Sequence, residues 1–308
     1  MRSIRKPAFG AILLALSVVL GACGSGGGGG QSPAGGGGAK GSLTVGAVQF
    51  AENQIVAEMY AQALEAAGYS VARKTDIGSR EVLQPAIKKG DIDLAPEYLS
   101  SLLLYLDPSA TPSGDPQQVA SKDEALLSKR GITLLQPAEA NDTNAFVVTQ
   151  ATAQKYGLQT VSDLKDVAGK MTLGGPPECP KRPFCIEGLK KVYGVQFADF
   201  KPLDVGGPLT VTALKNGQID VGLLFSTSSA IKANDFVVLE DDKNLQNAEN
   251  ITPQIRKDKL DPRIEQILNS ISAKLNNSNI TELNAMVELQ HREPADVAKQ
   301  FLQENGLL

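Results

Sequence analysis

Apolar positions recur along this chain with two periods, and the alternation between them predicts its elements. Leu43 to Ala47 is a short apolar run of strand length, and Asn53 to Ala67 then shows helical spacing through Ile55, Val56, Met59, Ala63 and Leu64, stopped by Gly68. Tyr69 to Lys74 is strand-like, Glu81 to Lys89 is a helix ended by Gly90, and Ile92 to Ala95 is a strand. Leu99 to Leu106 is apolar and helical and stops at Asp107-Pro108. Thr111 to Gln118 is turn-rich, and a helix and a strand follow at Ala125–Lys129 and Ile132–Leu135. Helices close the chain at Pro262–Leu275, Thr281–Leu289 and Pro294–Leu302. Short strands alternating with helices predict an α/β fold.

One pattern occurs twice. Residues 86–98 read AIKKGDIDLAPEY and residues 213–225 read ALKNGQIDVGLLF, with Ala, Lys, Gly, Ile and Asp shared at Ala86/Ala213, Lys88/Lys215, Gly90/Gly217, Ile92/Ile219 and Asp93/Asp220. Each copy is a helix end, a glycine stop and a strand that runs into an aromatic residue, Tyr98 or Phe225. Ligands of α/β proteins sit beyond the carboxyl ends of the strands. Two such ends facing one another would place Tyr98 and Phe225 across one cleft.

The start of the chain has another character. Arg2, Arg5 and Lys6 precede an apolar run from Ala8 to Leu20, the plan of a secretory signal peptide. Leu20-Gly21-Ala22-Cys23 resembles the bacterial lipobox, which implies a signal over residues 1–22, cleavage before Cys23 and acylation of its thiol. Several acyl chains anchor stably where one does not. From Gly24 to Gly41 the chain is nearly all Gly with Ser, Gln, Pro and Ala, so residues 23–41 read as a lipidated, flexible tether on the outer face of a membrane.

Composition narrows the chemistry. A net charge of −4, spread along the chain, disfavours nucleic acid as a partner. Of three cysteines, Cys179 and Cys185 remain after Cys23, and in an oxidising compartment a disulfide is their natural pairing. Zinc would need four ligands, and the one histidine, His291, lies far off in a predicted C-terminal helix. No G-x-S-x-G or H-E-x-x-H occurs, so an enzyme is disfavoured and no cofactor is expected.

The stretches VGAVQFAENQIVAEMYAQALEAAGY, IGSREVLQPAIKKGDIDLAPEYLSSLL, NDTNAFVVT, ALKNGQIDVGLLFSTSSAI and PADVAKQFLQENGLL, in this order, resemble the substrate-binding proteins of ABC importers for glycine betaine, choline, carnitine and related solutes. The resemblance implies a two-lobed, type II periplasmic-binding-protein fold. The hinge crossings fall near Asn141–Ala145 and Val238–Asp241, giving lobe one as 42–142 and 240–308 and lobe two as 143–239. It also implies a monomer that takes a small solute between its lobes and delivers it to the transmembrane subunits of an ABC permease.

Carried across residue by residue, the resemblance implies ligand-binding roles for Asn53, Ser79, Arg80, Tyr98, Asn144, Phe225, Ser226 and Thr227. Asn53 stands where a carboxamide usually meets ligand, and Arg80 is a candidate clamp for a carboxylate or hydroxyl. Asn144 stands where the family has a caging tyrosine, and Phe225-Ser226-Thr227 replaces an Asp-containing turn. The site is therefore expected to be less aromatic than a full cage, and a neutral polar or polyhydroxylated aromatic ligand is the alternative to a betaine-like cation. Tyr60, Tyr105, Tyr156 and Tyr193 are expected to be packing residues.

Overall fold

The computed structural model describes residues 41–308. Cys23, the signal segment and nearly all of the expected tether lie outside them. The described chain carries two five-stranded sheets of the same design. The first holds β1 (Ser42–Val48), β2 (Ser70–Ile77), β3 (Leu94–Tyr98) and β4 (Ile132–Leu134), and the second holds β5 (Asn144–Val148), β6 (Thr172–Gly175), β7 (Asp199–Pro202), β8 (Val221–Phe225) and β9 (Val237–Val238). A late strand, β10 (Ile251–Arg256), returns to the first sheet, giving the orders β2-β1-β3-β10-β4 and β7-β6-β8-β5-β9. In each, the first three strands are parallel and one strand from across the hinge, β10 or β5, runs antiparallel beside the third.

The repeated sequence is the reason the two sheets match. Gly90 and Gly217 take left-handed φ of 88° and 65° after their helices, Arg80–Lys89 and Pro208–Lys215, where a side chain would be strained. Asp93 accepts a hydrogen bond from Thr44 N at 2.9 Å, and Asp220 accepts one from Thr172 N at 2.8 Å. Ile92 and Ile219 pack so closely on Gly46 and Gly174 that a Cβ there would come within 2.8 Å and 2.5 Å.

Periodicity places β1 to β4, β8 and the three C-terminal helices within a few residues, while the strands and helices over 144–202 carry no such reading. The helix expected at Ala125–Lys129 begins earlier, at Pro116, where Asp115 accepts hydrogen bonds from Gln117 N and Gln118 N. β10 was not legible as a strand: Pro253 interrupts its pattern, and it is buried on both faces. His291 sits in an exposed turn with φ 55°, past the helix Asn277–Glu288 and not within it.

The largest core lies on one face of the first sheet, under the helices Ala51–Ala66, Pro262–Ser272, Asn277–Glu288 and Pro294–Glu304. A second core, with Cys179 and Cys185 in it, covers the second sheet. The two cysteines are bonded, with Cα atoms 5.3 Å apart. The chain crosses between the sheets at Asp142–Thr143, where Asp142 N donates to Glu249 O and Ser226 N donates to Thr143 O. Past Val238–Asp241 the chain still packs on the second sheet. Leu239 and Leu245 pack in the second core, and Asp241 accepts from Leu245 N and Gln246 N. Ala248 O accepts from Ser100 N at the start of the helix Leu99–Leu106, and β10 joins the first sheet from Ile251. Among the described residues no helix is long and apolar enough to cross a membrane.

Candidate functional site

The strand ends converge on a cavity of about 310 Å3 between the sheets. Phe50, which follows β1, stands between Tyr98 at the end of β3 and Phe225 at the end of β8. Its ring centroid lies 5.9 Å from Tyr98 and 5.0 Å from Phe225, and all three rings line the cavity. Tyr98 and Phe225 thus border the same cavity, with Phe50 in contact with both. Phe50 lies outside the repeated segment, so the repeat does not point to it.

Behind the rings is a buried polar knot. Glu52 accepts from Tyr98 Oη at 2.9 Å, Thr227 Oγ1 at 2.6 Å and Asn284 Nδ2 at 3.0 Å. One carboxylate therefore joins β3, the turn after β8 and the helix Asn277–Glu288. Burial pushes its pKa up, against those three hydrogen bonds, and the Glu288 charge adds to the rise. Asp142, at the first crossing, accepts from Thr227 N at 3.0 Å and Ser226 Oγ at 3.2 Å. Burial, and then the nearby Glu52, raise it well above the usual carboxylate range.

The rest of the lining divides by charge. Arg80 is half-buried and paired with Glu97, Nη2 to Oε2 at 2.8 Å. Glu249 is 3% exposed and accepts from Ser101 Oγ at 2.5 Å and Ser101 N at 3.2 Å. Burial lifts its pKa to about 7, opposed by the Ser101 bonds and by Arg80. Arg80 is paired with Glu97, and the inner cavity presents the raised carboxyls of Asp142 and Glu249. Lys181, Arg182, Glu81 and Glu178 line it as well and form a mixed-charge wall.

Four of the expected contact residues make hydrogen bonds within the protein. Asn53 reaches the cavity, where its Oδ1 accepts from Val48 N at 2.8 Å and its Nδ2 donates to Pro96 O at 3.1 Å, so its carboxamide joins β1 to β3. Ser79 lies off the cavity lining, in the extended residue before the helix Arg80–Lys89, where its hydroxyl serves Glu81. Ser226 and Thr227 are also off the lining, turned toward Asp142 and Glu52. Asn144 lines the cavity while its Nδ2 donates to Phe184 O at 3.1 Å. Tyr105, expected to be a packing residue, lines it too. Asp142, Glu249 and Arg182 line the same cavity because two distant crossings and a disulfide loop bring them together.

Residues 41–304 match the family described as the substrate binding domain of ABC-type glycine betaine transport systems. The chain belongs to that family. It is 31% identical over 283 residues to a glycine-betaine-binding protein of Pseudomonas aeruginosa, covering 87% of this chain and 89% of that one. It is 30% identical to the carnitine transport binding protein OpuCC of Listeria monocytogenes, over 97% of this chain and 96% of that one. Among solved structures it resembles a crystal structure of a glycine betaine/carnitine/choline ABC transporter, with a TM-score of 0.67 and 28% identity over 86% of this chain and 99% of that one. The fold is therefore the two-lobed α/β fold of type II periplasmic binding proteins, and this family member is a substrate-binding protein of glycine betaine and carnitine-type ABC importers. The family is one of transport proteins, not enzymes, and such binding proteins work outside the cytoplasm.

Proposed function

We propose that this binding protein captures a quaternary-ammonium solute of the glycine betaine, choline or carnitine type between its lobes and passes it to the transmembrane subunits of an ABC importer. The observation that carries the reading is the trio Phe50, Tyr98 and Phe225, drawn from both sheets, over an inner cavity lined by the buried carboxyls of Asp142 and Glu249. A methylated ammonium has no N–H to donate. Ring faces and nearby carboxylates suit it, each ring contributing about 0.5–2 kcal/mol. Arg80, Tyr98, Asn144 and Phe225 retain the contact roles expected of them, and Phe50, Asp142 and Glu249 join them. Asn53, Ser79, Ser226 and Thr227 act by holding these groups in place.

We assign residues 42–142 and 248–308 to one lobe and 143–247 to the other, with closure about the two crossings. Cys23 carries the lipid, so a single protomer works tethered at the outer face of the cell membrane. A second reading, a neutral polar or polyhydroxylated aromatic ligand, draws on Asn144 in place of a ring and on the hydroxyls of Ser101 and Tyr105 in the lining. A thermal-shift screen decides between them. Stabilisation by glycine betaine, carnitine or choline supports the first reading. Stabilisation confined to neutral polyhydroxylated compounds replaces it with the second.

A further inference from the structure

The Cys179–Cys185 loop lines the ligand cavity, and no role in binding follows from the disulfide alone. Both cysteines are buried in the second core, at 0% and 1% exposure, while Lys181, Arg182, Pro183 and Phe184 between them face the cavity. The loop is held from within and from outside. Arg182 N donates to Cys179 O, and Cys185 N donates to Arg182 O. Phe184 O accepts from Asn144 Nδ2 and Gln246 Nε2, both at 3.1 Å. Gly188 leaves no slack behind it, since a Cβ there would fall 2.0 Å from Pro183 O.

From this fixed base the Arg182 side chain crosses the cleft. Its Nη2 lies 3.1 Å from Glu81 Oε2 and 3.3 Å from Oε1, in the first turn of the helix Arg80–Lys89 on the opposite lobe. On its own side it keeps Glu178 Oε1 at 3.1 Å. Every other ion pair among the described residues joins groups of one lobe, so Arg182–Glu81 is the interlobe pair. The Glu81 carboxyl bears its mark: partial burial would raise it, yet Arg182 and a hydrogen bond from Ser79 hold it down at about 2.

We propose that Arg182, held in place by the Cys179–Cys185 disulfide, is the positioning residue that sets how readily the cleft shuts over its ligand. The inference rests on the reading of this cleft as one that closes on a solute. The two charges belong to different lobes, so their attraction counts only when the lobes are together. It shifts the open–closed equilibrium without touching either lobe's fold. Apparent affinity scales with the fraction of protein able to close, so a weaker latch lowers affinity mainly through faster release. The disulfide matters because an unstapled arginine would lose more side-chain and loop freedom on each closure.

The test uses the full chain with dyes attached through encoded azido residues at Lys129 and Lys170, one on each lobe. Single-molecule FRET then reads the closed fraction without ligand, and glycine betaine and choline serve as probe ligands. Arg182→Gln and Glu81→Gln should each reduce the unliganded closed fraction and weaken binding of whichever probe binds about three- to fivefold, chiefly through dissociation. The double variant should be no weaker than either single one, and 0.5 M NaCl should remove most of the difference from wild type. Reducing the disulfide should reproduce the loss in wild type and add nothing to Arg182→Gln. An unchanged closed fraction in both single variants, or additive losses in the double variant, overturns the latch. If neither probe binds, the proposed ligand class fails, while the ligand-free closed fraction still decides for or against the latch.

Discussion

Asp123 provides a quantitative test of how charge is stored around the cleft. It lies on the helix Pro116–Leu127, is 0% exposed, and neither of its carboxylate oxygens has a hydrogen-bond partner among the described residues. Burial, and then the Glu97 and Glu249 carboxylates, lift its pKa from 3.8 to about 8, with Arg80 opposing. A raised folded-state pKa contributes stability that is complete below the unfolded pKa and is lost as pH rises through the folded one. Between pH 5 and 7.5 the native state holds a proton that the unfolded state has released. That one group therefore costs about 1.4 kcal/mol of stability per pH unit, or roughly 3 kcal/mol across the window. Asp123→Asn removes the titration while keeping the shape. Urea unfolding of wild type and variant at half-unit steps from pH 5 to 8.5 should give curves whose slopes differ by about 1.4 kcal/mol per pH unit below pH 7.5. The comparison of slopes is insensitive to whatever the amide itself costs in a buried site. Parallel curves would refute the reasoning, because an Asp123 ionised in the folded protein would add no such slope.

Three other outcomes follow from the same geometry. Phe225→Ala removes one ring of the trio and should weaken binding of a quaternary-ammonium probe between about twofold and thirtyfold, the span of one cation–π contact, as read by calorimetry. Binding of such a cation should tighten from pH 6 to pH 8 and release protons. It favours the ionised forms of Glu249, which sits at about 7, and of Asp142, which burial holds above its usual range; titrations in buffers of different ionisation enthalpy count those protons. Gly188→Ala drives a Cβ to 2.0 Å from Pro183 O and 2.6 Å from a Leu245 methyl, so it should destabilise the protein by about 1–3 kcal/mol in urea unfolding and loosen the cavity wall that carries Arg182.

Much of the fold was legible because each lobe repeats one local unit. The helix, the left-handed glycine and the strand at 80–98 and 208–225 are written in periods that a chain carries on its own. The two strand-end aromatics could therefore be paired before any coordinates. β10 could not be read, since Ile251–Arg256 is a strand only because β3 and β4 accept it on both sides. The same distinction divides the site. Tyr98 and Phe225 sit at positions the repeat defines. Asp142 and Glu249 meet only where the two crossings run side by side, through Asp142 N donating to Glu249 O. Asn53, Ser226 and Thr227 were placed near the right feature, but motif position alone could not reveal that backbone N–H groups and buried carboxylates already occupy their polar atoms. Leu245 looks like any loop leucine in the sequence, and only the fold shows the second core enclosing it.

The central claim is that opposed rings from two lobes hold a methylated cation, and calorimetric titration of glycine betaine, carnitine and choline into wild type and a Phe50→Ala/Phe225→Ala variant tests it most directly. The account predicts saturable one-to-one binding of at least one of the three to wild type and its loss in the variant. Absence of saturable heat with all three, or equal affinity in the two proteins, would contradict it.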